Sequence, residues 1–186
     1  MHKLEKVAFY IVLAMSFILP IAFISPQVLP VDMLKASIFS IGTSIALILI
    51  LVSAFRTGSI VSIKGKPAYA LIAVVLSFIL SGLAVMKDAG LYKSFFGSGT
   101  ETTTILFALV SFAFVYTVVT LVRTKERLVS LLSSIVFGGL ILSLFHLIRF
   151  VFGADTLTFG NIFSSQISNT IGQWNDLGVY FGFLFL

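Results

Sequence analysis

The stretch Ala36–Phe55, "ASIFSIGTSIALILILVSAF", decides the fold because its twenty residues include no charged side chain. A helix rises about 1.5 Å per residue, so a segment of this length crosses a hydrocarbon core of about 30 Å. The whole chain has the same character, since 59% of its 186 residues are hydrophobic, 10% are charged and the mean hydropathy is +1.14. Soluble domains carry about 25% charged residues. The sequence therefore predicts an all-α, polytopic transmembrane bundle.

Apolar segments on both sides of this stretch predict further spans, giving about six that form a single helical domain over residues 1–186. They are Val7–Ile24, which Pro20 interrupts, Ala68–Met86, Thr104–Val122, Leu128–Phe152 and a last segment from Leu177 to Leu186. The last segment has ten residues and would rise about 15 Å, which is half a bilayer. We therefore expect the chain to be the N-terminal half of a longer protein.

Basic residues predict the orientation, because Lys and Arg concentrate at the cytoplasmic ends of membrane spans. The N-terminus, the loop after the second span and the loop after the fourth hold eight of the twelve basic residues and two of the seven acids. The N-terminus is thus predicted to be cytoplasmic. The net charge of +5 is spread between apolar runs, so we expect no nucleic-acid partner.

The usual motifs of soluble enzymes are missing from the sequence. There is no cysteine, and the two histidines are too few for a metal cluster. No phosphate-binding loop, dinucleotide fingerprint or Gly-x-Ser-x-Gly motif occurs. We expect neither a metal nor a cofactor, and the catalytic residues stay unknown. Candidate chemistry is left to the loops on the outer side.

Two outer loops have an unusual composition. Lys87–Thr103 mixes aromatic residues with glycine, which suits either a lipid-linked substrate or an interfacial turn. Thr100 or Thr102 is expected to cap the helix that follows. In Asp155–Asp176, apolar residues recur at helical spacing, which predicts a short helix on the membrane surface. Loops of this length are often functional.

The stretch "FHLIRFVFG", residues 145–153, places His146 and Arg149 three residues apart and so on one helical face. Arg149 either extends to the lipid headgroups or points inward to hold a phosphate. His146, one turn deeper, is a candidate for the interior, or a hydrogen-bonding residue between helices. Both are candidate substrate-binding residues.

The stretch "GQWNDLGVY", residues 172–180, sets polar residues directly before an apolar run. Asn175 or Asp176 can cap the helix that begins there, and an acid suits the helix dipole. Gly178 and Gly182 form a small-xxx-small pair that predicts close helix packing.

This same stretch resembles the Gly-x-x-Asn-x-(Leu/Phe)-(Ala/Gly)-x-(Tyr/Phe) pattern of the bacterial O-antigen ligase and O-antigen polymerase family. The matching residues are Gly172, Asn175, Leu177, Gly178 and Tyr180. The short early loops and the basic "RTKER" turn at residues 123–127 also fit. An Arg often precedes the pattern in the family, whereas residues 168–170 here are Ser, Asn and Thr.

The resemblance implies a multi-pass glycosyltransferase of the bacterial inner membrane that works on the outer face. It would move glycan from an undecaprenyl pyrophosphate carrier to a lipid or glycan acceptor, with membrane lipid as its other partner. The substrate-binding candidates are then Arg149, His146, Asn175 and Gly172. The family's large catalytic loop comes later in its chains, so we expect this portion alone to be inactive. A lipid or polysaccharide transporter and a non-catalytic membrane scaffold are the alternatives.

Overall fold

The structure is a computed structural model, and it describes residues 3–24, 30–59, 66–97, 104–153, 155–160, 162–163, 170–171 and 174–184. Across these residues the chain forms seven helices and no strand, which confirms the all-α prediction. The helices are α1 (Lys3–Ile21), α2 (Val31–Thr57), α3 (Lys66–Ala89), α4 (Leu91–Phe96), α5 (Ile105–Leu121), α6 (Lys125–Phe152) and α7 (Trp174–Leu184).

Three of the described helices, α1, α2 and α6, are long and apolar enough to cross a membrane by length and composition. This is fewer than the six spans predicted. Within the described residues, Tyr69–Ala84 of α3 and Ile105–Leu121 form shorter apolar helices. These features are consistent with a membrane protein.

Several helix boundaries differ from those expected. α5 is capped by Thr104, whose hydroxyl accepts from the N–H of Phe107 at 3.2 Å, while Thr100 and Thr102 lie outside the described residues. The loop expected from Lys87 begins later, because α3 continues to Ala89. A left-handed Gly90, with φ of +81°, then separates α3 from the short helix α4. A β-carbon disfavours such a φ, so glycine fits this turn.

The helices group into two compact units. The first comprises Met1–Val12 and Phe39–Arg127. In it, α3, α4 and α5 pack against one another. The ring of Phe39 on α2 contacts those of Phe107 and Phe114 on α5, with centroids 5.6 and 5.0 Å apart. Aromatic rings at these distances attract beyond their buried area, so they join α2 to α5.

The second unit comprises Leu13–Ile38 and Leu128–Leu186. α6 approaches α1 closely at Gly138, where an added β-carbon would lie 3.1 Å from the carbonyl oxygen of Phe17. The hydroxyl of Ser134 on α6 also donates to the carbonyl of Leu13 at 2.7 Å. Small residues and hydroxyl groups join membrane helices in this way.

The predicted small-xxx-small pair is not the site of this close packing. A β-carbon added at Gly178 or Gly182 would meet nothing within 4 Å among the described residues. α7 residues that reach α6 are Tyr180, whose hydroxyl donates to the carbonyl of Ile135 at 3.0 Å, and Leu184, whose side chain lies against Gly139. Within the described residues, α7 therefore packs on α6 through these side chains and not through the two glycines.

Candidate functional site

Arg149 lies near the C-terminal end of α6 and is only 2% exposed. Its Nη2 group donates to the carbonyl oxygen of Phe163 at 2.9 Å. This burial excludes the arrangement in which Arg149 extends to the lipid headgroups. The guanidinium instead points into the second unit and binds the chain segment that follows α6.

Four aromatic rings surround this position, and we call them the aromatic cluster: Phe23, Phe145, Phe159 and Phe163. The guanidinium carbon of Arg149 lies 5.5 Å from the ring centre of Phe145 and 5.8 Å from that of Phe163. A cation within about 6 Å of an aromatic face is attracted by the ring's quadrupole, most strongly where water is excluded. The cluster therefore helps to hold a positive charge in an apolar setting.

The segment after α6 folds back through a series of tight turns. Gly153, with φ of +95°, ends the helix, and the N–H groups of Thr156 and Phe163 bond to the carbonyls of Gly153 and Thr158. Leu157 and Phe159 have φ of 58° and 46°, a region that non-glycine residues rarely adopt. Such strain persists only where surrounding contacts fix the backbone. Here the ring contacts of Phe159 are among the fixing contacts.

A second contact fixes the chain further along. The hydroxyl of Thr170, 3% exposed, donates to the carbonyl oxygen of Pro20 at 2.7 Å. Pro20 lies in the last turn of α1. Carbonyl groups at a helix end lack partners within the helix, so a hydroxyl from a distant segment can satisfy one. Thr170 occupies the region in which the resembled family often has an arginine, and here it joins the chain to α1.

His146 lies one turn before Arg149 on the same helix and is partly buried. Its ring meets that of Phe145 edge to face, with centroids 5.3 Å apart. The prediction that His146 and Arg149 share a helical face agrees with their positions in α6. Whether either binds substrate stays a prediction.

The other two predicted site residues are described less fully. Gly172 lies outside the described residues, and of Asn175 the structure describes the backbone but not the side chain. α7 begins at Trp174, so Asn175 and Asp176 lie in its first turn rather than at the cap position. Asp176 still suits the positive end of the helix dipole.

Sequence reasoning identified Arg149 but missed what holds it. The partner is a backbone carbonyl, which leaves no signature in a sequence, and Phe23 lies more than 120 residues earlier in the chain. The signal that was available is the local density of phenylalanine around Arg149, Phe159 and Phe163. Chemically, the arrangement fixes a positive charge beside the turns that follow α6.

The first unit contains a groove of about 270 Å³ between α3 and α5. Its lining is apolar, with residues such as Val74, Phe78 and Phe112. The hydroxyl of Ser111 reaches it but donates to the carbonyl of Phe107 at 2.9 Å. The groove therefore brings together no groups that could carry out acid–base or nucleophilic chemistry.

Comparison of the chain with protein-family models, curated proteins and solved structures finds no match.

Proposed function

We propose that this chain forms part of a membrane-embedded glycan transferase of the O-antigen ligase and polymerase type. Its substrate would be a glycan on an undecaprenyl pyrophosphate carrier, and its acceptor a lipid or a second glycan. In this proposal α3, α5 and α7 also enter the membrane, giving six spans with a cytoplasmic N-terminus in the bacterial inner membrane. The segment after α6 then lies on the outer face.

The observation that carries the proposal is the buried Arg149 beneath the segment that leads into the Gly172–Tyr180 motif. A pyrophosphate leaving group develops negative charge as the glycosyl bond breaks, and a fixed cation in a water-poor setting stabilises such charge. Arg149 is 2% exposed and bonded to Phe163. We therefore assign it to positioning the segment and supplying positive potential there.

Two motif positions support the proposal through packing. Leu177 is 4% exposed, and the hydroxyl of Tyr180 donates to Ile135. The bond of Tyr180 attaches the middle of α7 to α6, and in this proposal that attachment keeps the junction between loop and helix in a defined position. A transferase needs such a junction because its acceptor hydroxyl must be aligned with the glycosyl carbon.

The experiment is deletion of the gene in the source bacterium, followed by measurement of undecaprenyl-pyrophosphate-linked glycan. A transferase defect should leave this intermediate on the outer face of the inner membrane. A membrane-impermeant glycosidase applied to spheroplasts should then release the glycan, and a plasmid carrying the intact gene should restore normal levels.

The rival functions give different results in the same experiment. A transporter defect would leave the glycan on the inner face, where the glycosidase digests it only after lysis. A scaffold without a role in glycan assembly would cause no accumulation. Either result contradicts the proposed transferase.

A further inference from the structure

A cleft of about 210 Å³ lies in the first unit. Its lining residues are Glu5, Arg123, Thr124 and Arg127. They come from the first turn of α1 and from the short turn that joins α5 to α6. The sequence shows these residues only as markers of orientation, whereas the fold assembles them into one site.

Both guanidinium groups in the cleft are held by the last turn of α5. Nε of Arg123 donates to the carbonyl of Thr120 at 2.7 Å, and Nη1 of Arg127 donates to the carbonyl of Leu121. The guanidinium of Arg127 also lies 5.4 Å from the ring centre of Phe9. Carbonyls at a helix end lack partners within the helix. Because these carbonyls already orient the two arginines, the arginine side chains lose less conformational entropy when a ligand binds.

The Nη groups of Arg123 make no hydrogen bond to any residue that the structure describes. A guanidinium carries five N–H donors in a planar fork, which matches two oxygens of a phosphate. Among the described residues, the Nη donors of Arg123 are therefore left for such a ligand.

Charge at the cleft favours an anion. The stretches 3–6 and 123–127 together hold five basic residues and two acids, Glu5 and Glu126. The Glu5 carboxylate accepts from the hydroxyl of Ser53 at 3.3 Å, and the Glu126 carboxylate hydrogen-bonds the hydroxyl of Thr124. With both acids ionised, the two stretches keep an excess of three positive charges.

The surroundings indicate that the phosphate belongs to a lipid. Exposed apolar side chains lie at the same ends of the neighbouring helices: Val7 and Tyr10 on α1 and Phe55 on α2 are 49%, 66% and 84% exposed. Acyl chains would cover such side chains in a membrane, and basic pockets at helix ends bind anionic headgroups. We propose that Arg123 and Arg127 bind the phosphate of an anionic lipid headgroup in this cleft. This site is independent of glycan transfer.

The test measures lipid retention by the purified 186-residue chain in detergent, using native mass spectrometry with phosphatidylglycerol or phosphatidylcholine at equal concentration. We expect preferential retention of phosphatidylglycerol. Arg123→Gln with Arg127→Gln should weaken it about tenfold or more, since hydrogen bonds between charged groups are lost. The matched control, Arg56→Gln, removes an exposed charge outside the cleft lining and should retain the lipid.

Because Arg127 also contacts Phe9 and Leu121, the double variant can lose its fold. Arg123→Gln alone is the second variant, and it should weaken retention while the helical circular dichroism spectrum is unchanged. Equal retention by wild type and folded Arg123→Gln would overturn the proposal, as would an equal loss in Arg56→Gln. Complete displacement of the lipid by inorganic phosphate would overturn the lipid assignment and indicate a soluble phosphate ligand.

Discussion

The Nη2 group of Arg149 donates to the carbonyl oxygen of Phe163, fourteen residues further along the chain, at 2.9 Å. The bond joins the end of α6 to the turns that follow it, and the ring of Phe163 lies 5.8 Å from the same guanidinium. One side chain thus fixes both the backbone and the ring of its partner. This contact organises the second unit near the end of α6.

Arg149→Gln should release the segment after α6, because it removes the bond to Phe163 and the cation–π contacts. We expect the free energy of unfolding to fall by about 3.5–5 kcal/mol, the sum of a charged hydrogen bond and a desolvated cation–π pair. Melting in detergent checks the size of the effect. Chymotrypsin should cut after Phe159 or Phe163 in the variant, with sites assigned by mass spectrometry.

Arg56→Gln is the matched control, because Arg56 is exposed near the end of α2. It should melt like the wild type and resist chymotrypsin at both sites. If Arg149→Gln behaves like this control, the guanidinium does not hold the segment.

Gly138→Leu should separate α6 from α1. An added β-carbon would already lie 3.1 Å from the carbonyl of Phe17 and 3.4 Å from Cγ of Pro20, so a larger side chain must displace backbone. Overpacking of this kind costs about 1–3 kcal/mol. Gly178→Leu is the control, since nothing described lies within 4 Å there. Equal melting temperatures for the two variants would contradict the close approach at Gly138.

Tyr180→Phe should weaken the attachment of α7 to α6 by removing one hydroxyl. The bond to the carbonyl of Ile135 is 3.0 Å long, and its loss should lower the free energy of unfolding by about 1 kcal/mol. Tyr69→Phe removes a hydroxyl from a tyrosine that is 74% exposed and should change little. A melting temperature of Tyr180→Phe equal to that of Tyr69→Phe would mean that this bond adds nothing.

The membrane topology can be read from single cysteines, because the chain has none of its own. We expect Tyr92→Cys and Thr156→Cys to react with a membrane-impermeant maleimide in intact spheroplasts. Ser59→Cys and Thr124→Cys should react only after lysis. The reactive side alternates between consecutive positions in this way if both α3 and α5 cross the membrane.

The competing arrangement has only α1, α2 and α6 in the membrane. Positions 59, 92 and 124 would then react from the same side. A variant that denatures would react at every cysteine after lysis. Labelling in urea therefore gives the total amount of reactive cysteine at each position and corrects for differences in expression.

The sequence by itself determined the fold class and most helix positions. Twenty uncharged residues at Ala36–Phe55 predict a membrane span, and the observed α2 contains all of them. This works because length and hydropathy are local properties that a bilayer selects directly. The ends of the helices were less predictable, because helix caps depend on single side-chain hydrogen bonds. α5 is capped by Thr104, and α3 continues through Lys87.

Only the tertiary structure decided what the polar residues contact. The sequence left Arg149 either at the headgroups or inside, and burial beside the rings of Phe145 and Phe163 places it inside. Likewise, the sequence alone indicates only that Arg123 and Arg127 mark the orientation of the chain. The structure places both beside Glu5, at the start of α1. Such partners are backbone carbonyls and rings many residues away. Three-dimensional packing selects them, and no local pattern in the sequence records that choice.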